Sequence, residues 1–199
     1  MDAEPPFIAD LPIARAALEW AESLHQGQLR AVDLAPFILH PTEVAAALSL
    51  RGYDDEVVAA GLLHDAIEGS EADITEVRRR FGDRVARIVA AVSEDPDIAD
   101  REARKAALRA QVAAADGDAH VVFAADKVVK ARELRAQAAL VEGTLDEPDL
   151  HRRLEHYEAS LAMLETVAPG VPIVEQLAFE LWALRTLPPS HVAAASRAS

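Results

Sequence analysis

The sequence contains no cysteine, so disulfides and zinc–thiolate centres are excluded and nothing points to an oxidising compartment. Aromatic residues are scarce, at 5%, and β-branched runs are few, while alanine is abundant. That balance predicts helices packed closely through small side chains. Positive charge is also short: 20 Lys and Arg stand against 34 Asp and Glu, a formal net charge of −14 at pH 7. No Lys/Arg stripe is present to meet a phosphate backbone, so a nucleic-acid-binding domain is not expected. No apolar run approaches the ~20 residues that cross a bilayer. The opening MDAEPPFIAD, acidic and carrying two prolines, is not a signal peptide. A soluble, cytoplasmic protein without membrane or nucleic-acid partners is the expectation. Its 199 residues, 51% hydrophobic and 27% charged, suffice for one domain with a substantial core.

Leu11, Ala14, Leu18 and Ala21 recur at helical spacing and predict a first helix over 11–29. GQLRAVDLAPFILH breaks it and runs extended to Pro41, which suits the first turn of a second helix ending near Leu50. Asp54 is placed to cap a third helix reaching about Glu68. Further helices are predicted at 73–81 and 83–93, parted at Phe81-Gly82-Asp83, and then at 99–115, 119–141, 148–167 and 171–187. The last presents Ile173, Leu177, Leu181 and Leu184 as an apolar stripe that closes the bundle, with a homo-oligomer contact left open. No strand alternation stands out. The predicted class is all-α, with residues 1–187 as a single domain and 188–199 as a flexible tail.

Three ionisable groups interrupt the apolar stretch VVAAGLLHDAIEGS (57–70). On a continuous helix, Val57, Gly61, His64, Asp65 and Glu68 form one stripe, apolar in its first half and titratable in its second. Buried charges need partners, and one metal ion would serve all of them. In VVFAADKVV (121–129), Asp126 lies on the face that carries Val122 and Val129, and a carboxylate there needs a cation or several donors. In FILHP (37–41), His40 ends an apolar run, and Pro41 biases it away from helical geometry onto the lip of the next helix. His40, His64, Asp65 and Asp126 together supply two imidazoles and two carboxylates. That set suits Mn²⁺, Fe²⁺, Co²⁺ or Zn²⁺, with positions left for water and substrate. The competing reading makes each of these an ordinary hydrogen-bonded or ion-paired residue; the joint pattern favours the metal.

The order His … His-Asp … Asp resembles the HD superfamily of metal-dependent phosphohydrolases, and more narrowly the small alarmone hydrolases related to the hydrolase domain of Rel/Spo (p)ppGpp enzymes. The resemblance runs from about Ala16 to Leu134 through FILHPTEVA, AAGLLHDAIEGS, RFGDRVARIVAAVSE and FAADKVVKARELR. It implies an HD-domain helical bundle of about eight to ten helices, with one divalent metal, usually Mn²⁺, on His40, His64, Asp65 and Asp126. It also implies Glu68 as the acid or base beside the reacting phosphate, and hydrolysis of a phosphoester such as the 3′-pyrophosphate of (p)ppGpp or (p)ppApp.

The chain departs from that family where substrate is held. The Glu-Asp pair is Glu68-Gly69, Phe37 and Leu39 replace a tyrosine and an asparagine, and the basic pair after the first helix is reduced to Arg30 beside Ala31. Phe123-Ala124-Ala125-Asp126 and Lys130 stand where one more lysine and an asparagine are usual, and His156 stands for a later tyrosine that Tyr157 can replace. Arg30, Lys127, Lys130, Arg132 and Tyr157 are therefore the candidate substrate contacts. The alternative is a catalytically degenerate HD protein that binds a nucleotide or partner without hydrolysis.

Overall fold

The computed structural model describes residues 5–31, 33–68, 70, 72–140 and 148–186. After a short 3₁₀ turn at Pro6–Ile8, eight α-helices follow among the described residues: α1 Pro12–Leu24, α2 Leu39–Ser49, α3 Asp55–Leu63, α4 Ile74–Val92, α5 Arg101–Ala113, α6 Gly117–Leu140, α7 Pro148–Val167 and α8 Pro172–Thr186. The fold is all-α, as the composition predicts; the nearest thing to a strand among these residues is an isolated bridge between Leu29 and Pro36.

α3 and the first half of α6 are buried on nearly all sides, and this sets the architecture. Every residue of α3 from Val57 to Leu63 is buried. In α6, Val121 to Ala125 and Val128 to Val129 are buried likewise. These helices therefore occupy the middle: α3 packs against α1, α2, α4 and α6, and α6 packs against α2, α5, α7 and α8 as well. The buried apolar side chains form a single contiguous core running from Ile8 to Leu184. At about 1.5–3 kcal/mol for each large aliphatic side chain, burial on this scale drives the assembly.

Local chemistry fixes the helix ends. Asp54 caps α3 by accepting the Val57 N–H at 3.1 Å, as expected. Asp73 and Asp100 cap α4 and α5 in the same way. The carboxylate of Asp55 reaches across to accept the N–H groups of Ile13 and Ala14, at 2.9 and 2.7 Å, so α3 caps α1. At Gly61 an added Cβ would lie 2.7 Å from Leu48 Cδ1 and 3.5 Å from Ala45 Cα. The bare glycine thus lets α3 lie close on α2.

Three boundaries differ from the sequence-based expectation. The first helix stops at Leu24 rather than 29, where the chain turns through Gly27 at φ 78°. The second starts at Leu39, so His40 is helical and not extended. The reason is that Leu39 and His40 donate to the carbonyls of Pro36 and Phe37, which nucleates a turn before the proline. Pro41 then sits in the first turn, where its missing N–H costs nothing. The third helix ends at Leu63, and the chain continues in tighter turns, Ala66 N–H to Leu63 O and Glu68 N–H to Asp65 O. Glu68 is therefore not on a continuous α-helical stripe with Val57. The break expected at Phe81-Gly82-Asp83 is present: Gly82, at φ 87° and ψ 175°, parts two helical segments within Ile74–Val92. The expected tail at 188–199 lies outside the described residues.

Candidate metal centre and active site

Three elements bring four side chains to one point. His40 comes from the first turn of α2, His64 and Asp65 follow the last turn of α3, and Asp126 projects from α6. The ligand atoms of His40, His64 and Asp65 lie within 4.8 Å of one another. His40 Nε2 is 3.3 Å from His64 Nε2 and 3.1 Å from Asp126 Oδ1. His64 Nε2 is 3.1 Å from Asp65 Oδ2 and 3.5 Å from Asp126 Oδ1. A divalent ion with bonds of about 2.1 Å holds neighbouring ligands roughly 3.0–3.4 Å apart; His40, His64 and Asp65 are close enough to share one ion, and Asp126 Oδ1 borders that set at 3.1 and 3.5 Å from the two imidazoles.

The outer hydrogen bonds fix how the two imidazoles present themselves. His64 Nδ1 faces the Gly61 carbonyl at 2.8 Å, an orphan acceptor at the end of α3. His40 Nδ1 faces Glu133 Oε1 at 3.1 Å. Both partners only accept, so each Nδ1 carries its hydrogen and donates outward, which turns each Nε2 into the cluster, where a bound cation would take the place of its proton. Two imidazole Nε2 atoms and two carboxylates converge there, an arrangement that favours positive charge between them. Burial opposes the His64 imidazolium, but Asp65 and Asp126 outweigh it and raise its pKa to about 10. Burial likewise opposes the charge on Asp126, and Lys127 and Lys130 hold it well below the usual carboxylate range nonetheless. Donor set, spacing and electrostatics all fit a divalent cation.

Glu68 borders the same centre. A small chamber of about 40 Å³ is lined by His64, Asp65, Glu68, Glu94, Asp126, Lys127 and Lys130 among others. Burial, then the charge of Asp65, raises the Glu68 pKa, as a proton-handling carboxyl requires. Its Oε1 accepts the Glu94 N–H at 2.7 Å.

A wider cavity of about 530 Å³ opens beside the chamber and shares Lys105, Lys127 and Lys130 with it. Arg30, Arg101 and Arg153 add three guanidinium groups, and Phe37, His156 and Tyr157 add rings. In a chain of net charge −14, six cationic side chains against Glu133 and Asp149 give this cavity a positive balance suited to an anion. Arg30 lies at its wall but is engaged by Asp33, with Glu43 and Glu133 each at 3.5 Å. Lys127 and Lys130 both pair with Asp126. Burial pushes the Lys127 ammonium down to about 8. His156 Nδ1 accepts from Arg109 at 2.7 Å, and burial together with Lys127, Lys105 and Arg109 pushes its pKa down to about 2, so the ring is neutral.

One expected contact is elsewhere. Arg132 points away from the cavity, its side chain 47% exposed and its Nε donating to Glu180 Oε1 of α8 at 2.7 Å. It follows Asp126 by six residues, which places it about 120° around the helix. Three contributors went unnoticed in the sequence. Glu133 lies seven residues after Asp126, on the same face, and extending the Asp126–Lys130 stripe by one turn finds it. Arg153 lies four before Tyr157 on α7. Glu94 comes from the segment after α4 and carries no comparable signal.

A family model described as HD domain matches residues 17–147, more than half of the chain. The chain belongs to the HD-domain family. Among curated proteins, this HD-domain chain is 40% identical over 78 residues to a guanosine-3′,5′-bis(diphosphate) 3′-pyrophosphohydrolase of Aquifex aeolicus, covering 39% of the chain and 11% of that protein. It is 32% identical over 150 residues to a GTP pyrophosphokinase of Myxococcus xanthus, covering 69% of the chain and 20% of that protein. With the Danio rerio guanosine-3′,5′-bis(diphosphate) 3′-pyrophosphohydrolase MESH1 it shares 40% identity over 106 residues, covering 50% and 56%. The chain thus spans less than two thirds of each of these relatives. Among solved structures, a metazoan ortholog of SpoT described as hydrolysing ppGpp superposes with a TM-score of 0.71 at 22% identity, covering 94% of this chain and 99% of that one. The HD-domain fold is common to both. No described helix is long and apolar enough to cross a membrane.

Proposed function

We propose that this HD-domain protein is a metal-dependent phosphohydrolase acting on a nucleotide, with 3′-pyrophosphate hydrolysis of (p)ppGpp or (p)ppApp as the leading reaction. The carrying observation is the pair of Nε2 atoms 3.3 Å apart between two carboxylates, set against a cationic cavity large enough for a nucleotide. The names of the Aquifex and Danio relatives support the substrate class. His40, His64, Asp65 and Asp126 would hold one divalent ion, Mn²⁺ in preference to Fe²⁺, Co²⁺ or Zn²⁺. When bound, that ion supplies Lewis-acid polarisation of the phosphoryl oxygens and a lowered pKa for the attacking water.

The chain's own residues do the rest. Lys105, Lys127, Lys130 and Arg153 hold the phosphates, while Arg30, Phe37 and Tyr157 bound the space left for the nucleoside. Glu68 accepts a proton from water as the water oxygen bonds to the phosphorus next to the ribose 3′-oxygen. The bond from that phosphorus to the 3′-oxygen breaks, the 3′-oxygen takes up the proton that Glu68 holds, and pyrophosphate leaves. We place this reaction in the cytoplasm, on free nucleotide, in one domain formed by residues 1–187.

The test is phosphate and pyrophosphate release from a panel of ppGpp, ppApp, NADPH and ordinary nucleotides by Mn²⁺-loaded protein, with Asp65→Ala in parallel. Turnover of ppGpp or ppApp that the variant loses is expected. Mn²⁺ binding with no turnover across the panel would replace this reading with that of a binding module, which Gly69 in the place of the family's second acid would then explain.

A further inference from the structure

We propose that Arg104 is a positioning residue for Glu68, acting through the segment 93–100. The inference rests on the phosphohydrolase reading above for its consequence and on hydrogen-bond geometry for its cause. Glu68 is oriented by the Glu94 N–H, at 2.7 Å from Oε1. Glu94 directly follows Ser93, the residue that ends α4, so the direction of its N–H depends on how the following segment is held.

Helix α5 holds it. Arg104 Nε donates to Glu94 Oε2 at 2.7 Å, and its Nη1 donates to the carbonyls of Ile98 at 2.7 Å and Ala99 at 3.4 Å. One guanidinium therefore ties the two ends of the segment together, a task that needs a planar fork and that a lysine could meet only in part. Lys105, next on the helix, donates to the other Glu94 oxygen. About two turns further on, Gln111 Nε2 lies 3.0 Å from the carbonyls of Ala90, Ala91 and Ser93, which fastens the approach to the segment.

Arg104 and Lys105 differ in what else they face. Lys105 lines both the cationic cavity and the metal chamber, so a phosphate arriving there competes with Glu94 for its ammonium. Arg104 borders neither. It faces a separate and more apolar cavity of about 580 Å³, together with Ile67, Pro96 and the outer side of Glu68. Once substrate draws on Lys105, Arg104 is the anchor that stays on Glu94. Its loss is then felt in the chemical step and not in substrate or metal binding.

The experiment is a double-mutant cycle of Arg104→Gln with Glu68→Gln on Mn²⁺-loaded protein and ppGpp. Arg104→Gln should lower kcat about 10-fold or more while KM stays within about twofold and Mn²⁺ affinity is unchanged, because only the placement of a proton-transfer group is disturbed. The double variant should be no slower than Glu68→Gln alone, and Arg104→Lys should recover part of the loss. Additive effects, or a KM or Mn²⁺ affinity that moves along with kcat, would overturn the proposal. Amide hydrogen exchange decides it without turnover: the Glu94 N–H should exchange faster in Arg104→Gln, and unchanged protection would overturn the positioning role. Failure of the wild-type protein to hydrolyse ppGpp counts against the phosphohydrolase reading and leaves the exchange measurement to decide for Arg104.

Discussion

A metal ligand is only as good as the group behind it. Glu133 takes the Nδ1 hydrogen of His40 and so fixes which nitrogen faces the cluster. Glu133→Ala leaves that hydrogen unpaired in a buried site, and Mn²⁺ affinity should fall about 10- to 100-fold by isothermal titration; an unchanged Kd would show that the ring is oriented by something else. A second residue-scale expectation concerns His156. Burial, then Lys127, Lys105 and Arg109, lower its pKa to about 2 in the folded protein, against about 6.5 when unfolded. A histidine held neutral contributes stability that is fully present above pH 6.5 and is lost as pH falls from there toward 2. Urea midpoints of wild type and His156→Gln should therefore diverge between pH 7 and 5, the wild type losing up to about 1.4 kcal/mol more per pH unit. Parallel pH profiles would refute the assignment. At this scale the sequence was legible where burial and charge conflict, as at His64, Asp65 and Asp126. It was misleading where residue type alone was followed: Arg132 has the right charge and the wrong helical face, and Glu133 has the right face but the charge of the wrong kind for a phosphate contact.

Elements were legible wherever local chemistry decides them. The cap at Asp54, the break at Gly82 and the ends of α7 and α8 follow from side-chain oxygens, glycine and proline, and the structure keeps each of them. Where tertiary contact decides, periodicity ran too far. It continued α3 through Glu68, whereas the chain leaves the α-helix at His64 and delivers His64 and Asp65 to the cluster from a turn. Gly82 supports the sharpest expectation at this scale. Its φ of 87° with ψ of 175° lies in a region open essentially to glycine, while nothing sits within 4 Å of an added Cβ. Gly82→Ala should therefore cost about 1–3 kcal/mol from backbone strain alone. A loss of that size by urea denaturation, with kcat preserved, is expected; a neutral substitution would mean that α4 can straighten at no cost.

Over the whole molecule, the centre joins parts of the chain that are far apart, so an ion bound there acts on global stability. Mn²⁺ at 100 times its Kd should raise the unfolding free energy by about 2.7 kcal/mol, EDTA should reverse the gain, and Asp126→Asn should abolish it. A Tm indifferent to Mn²⁺ would count against the site. The same connectivity has a kinetic meaning. His40 and His64 are 24 residues apart and belong to neighbouring helices, whereas Asp126 is 86 residues beyond His40. A collapsing chain closes the short loop at lower entropic cost than the long one, which also requires α6 to pack into the middle of the bundle. On this loop-length argument His40, His64 and Asp65 can meet as a local half-site before Asp126 joins them. Uptake of Mn²⁺ at full affinity would then mark the end of folding, so that the chain acquires its chemistry and its finished interior in a single event.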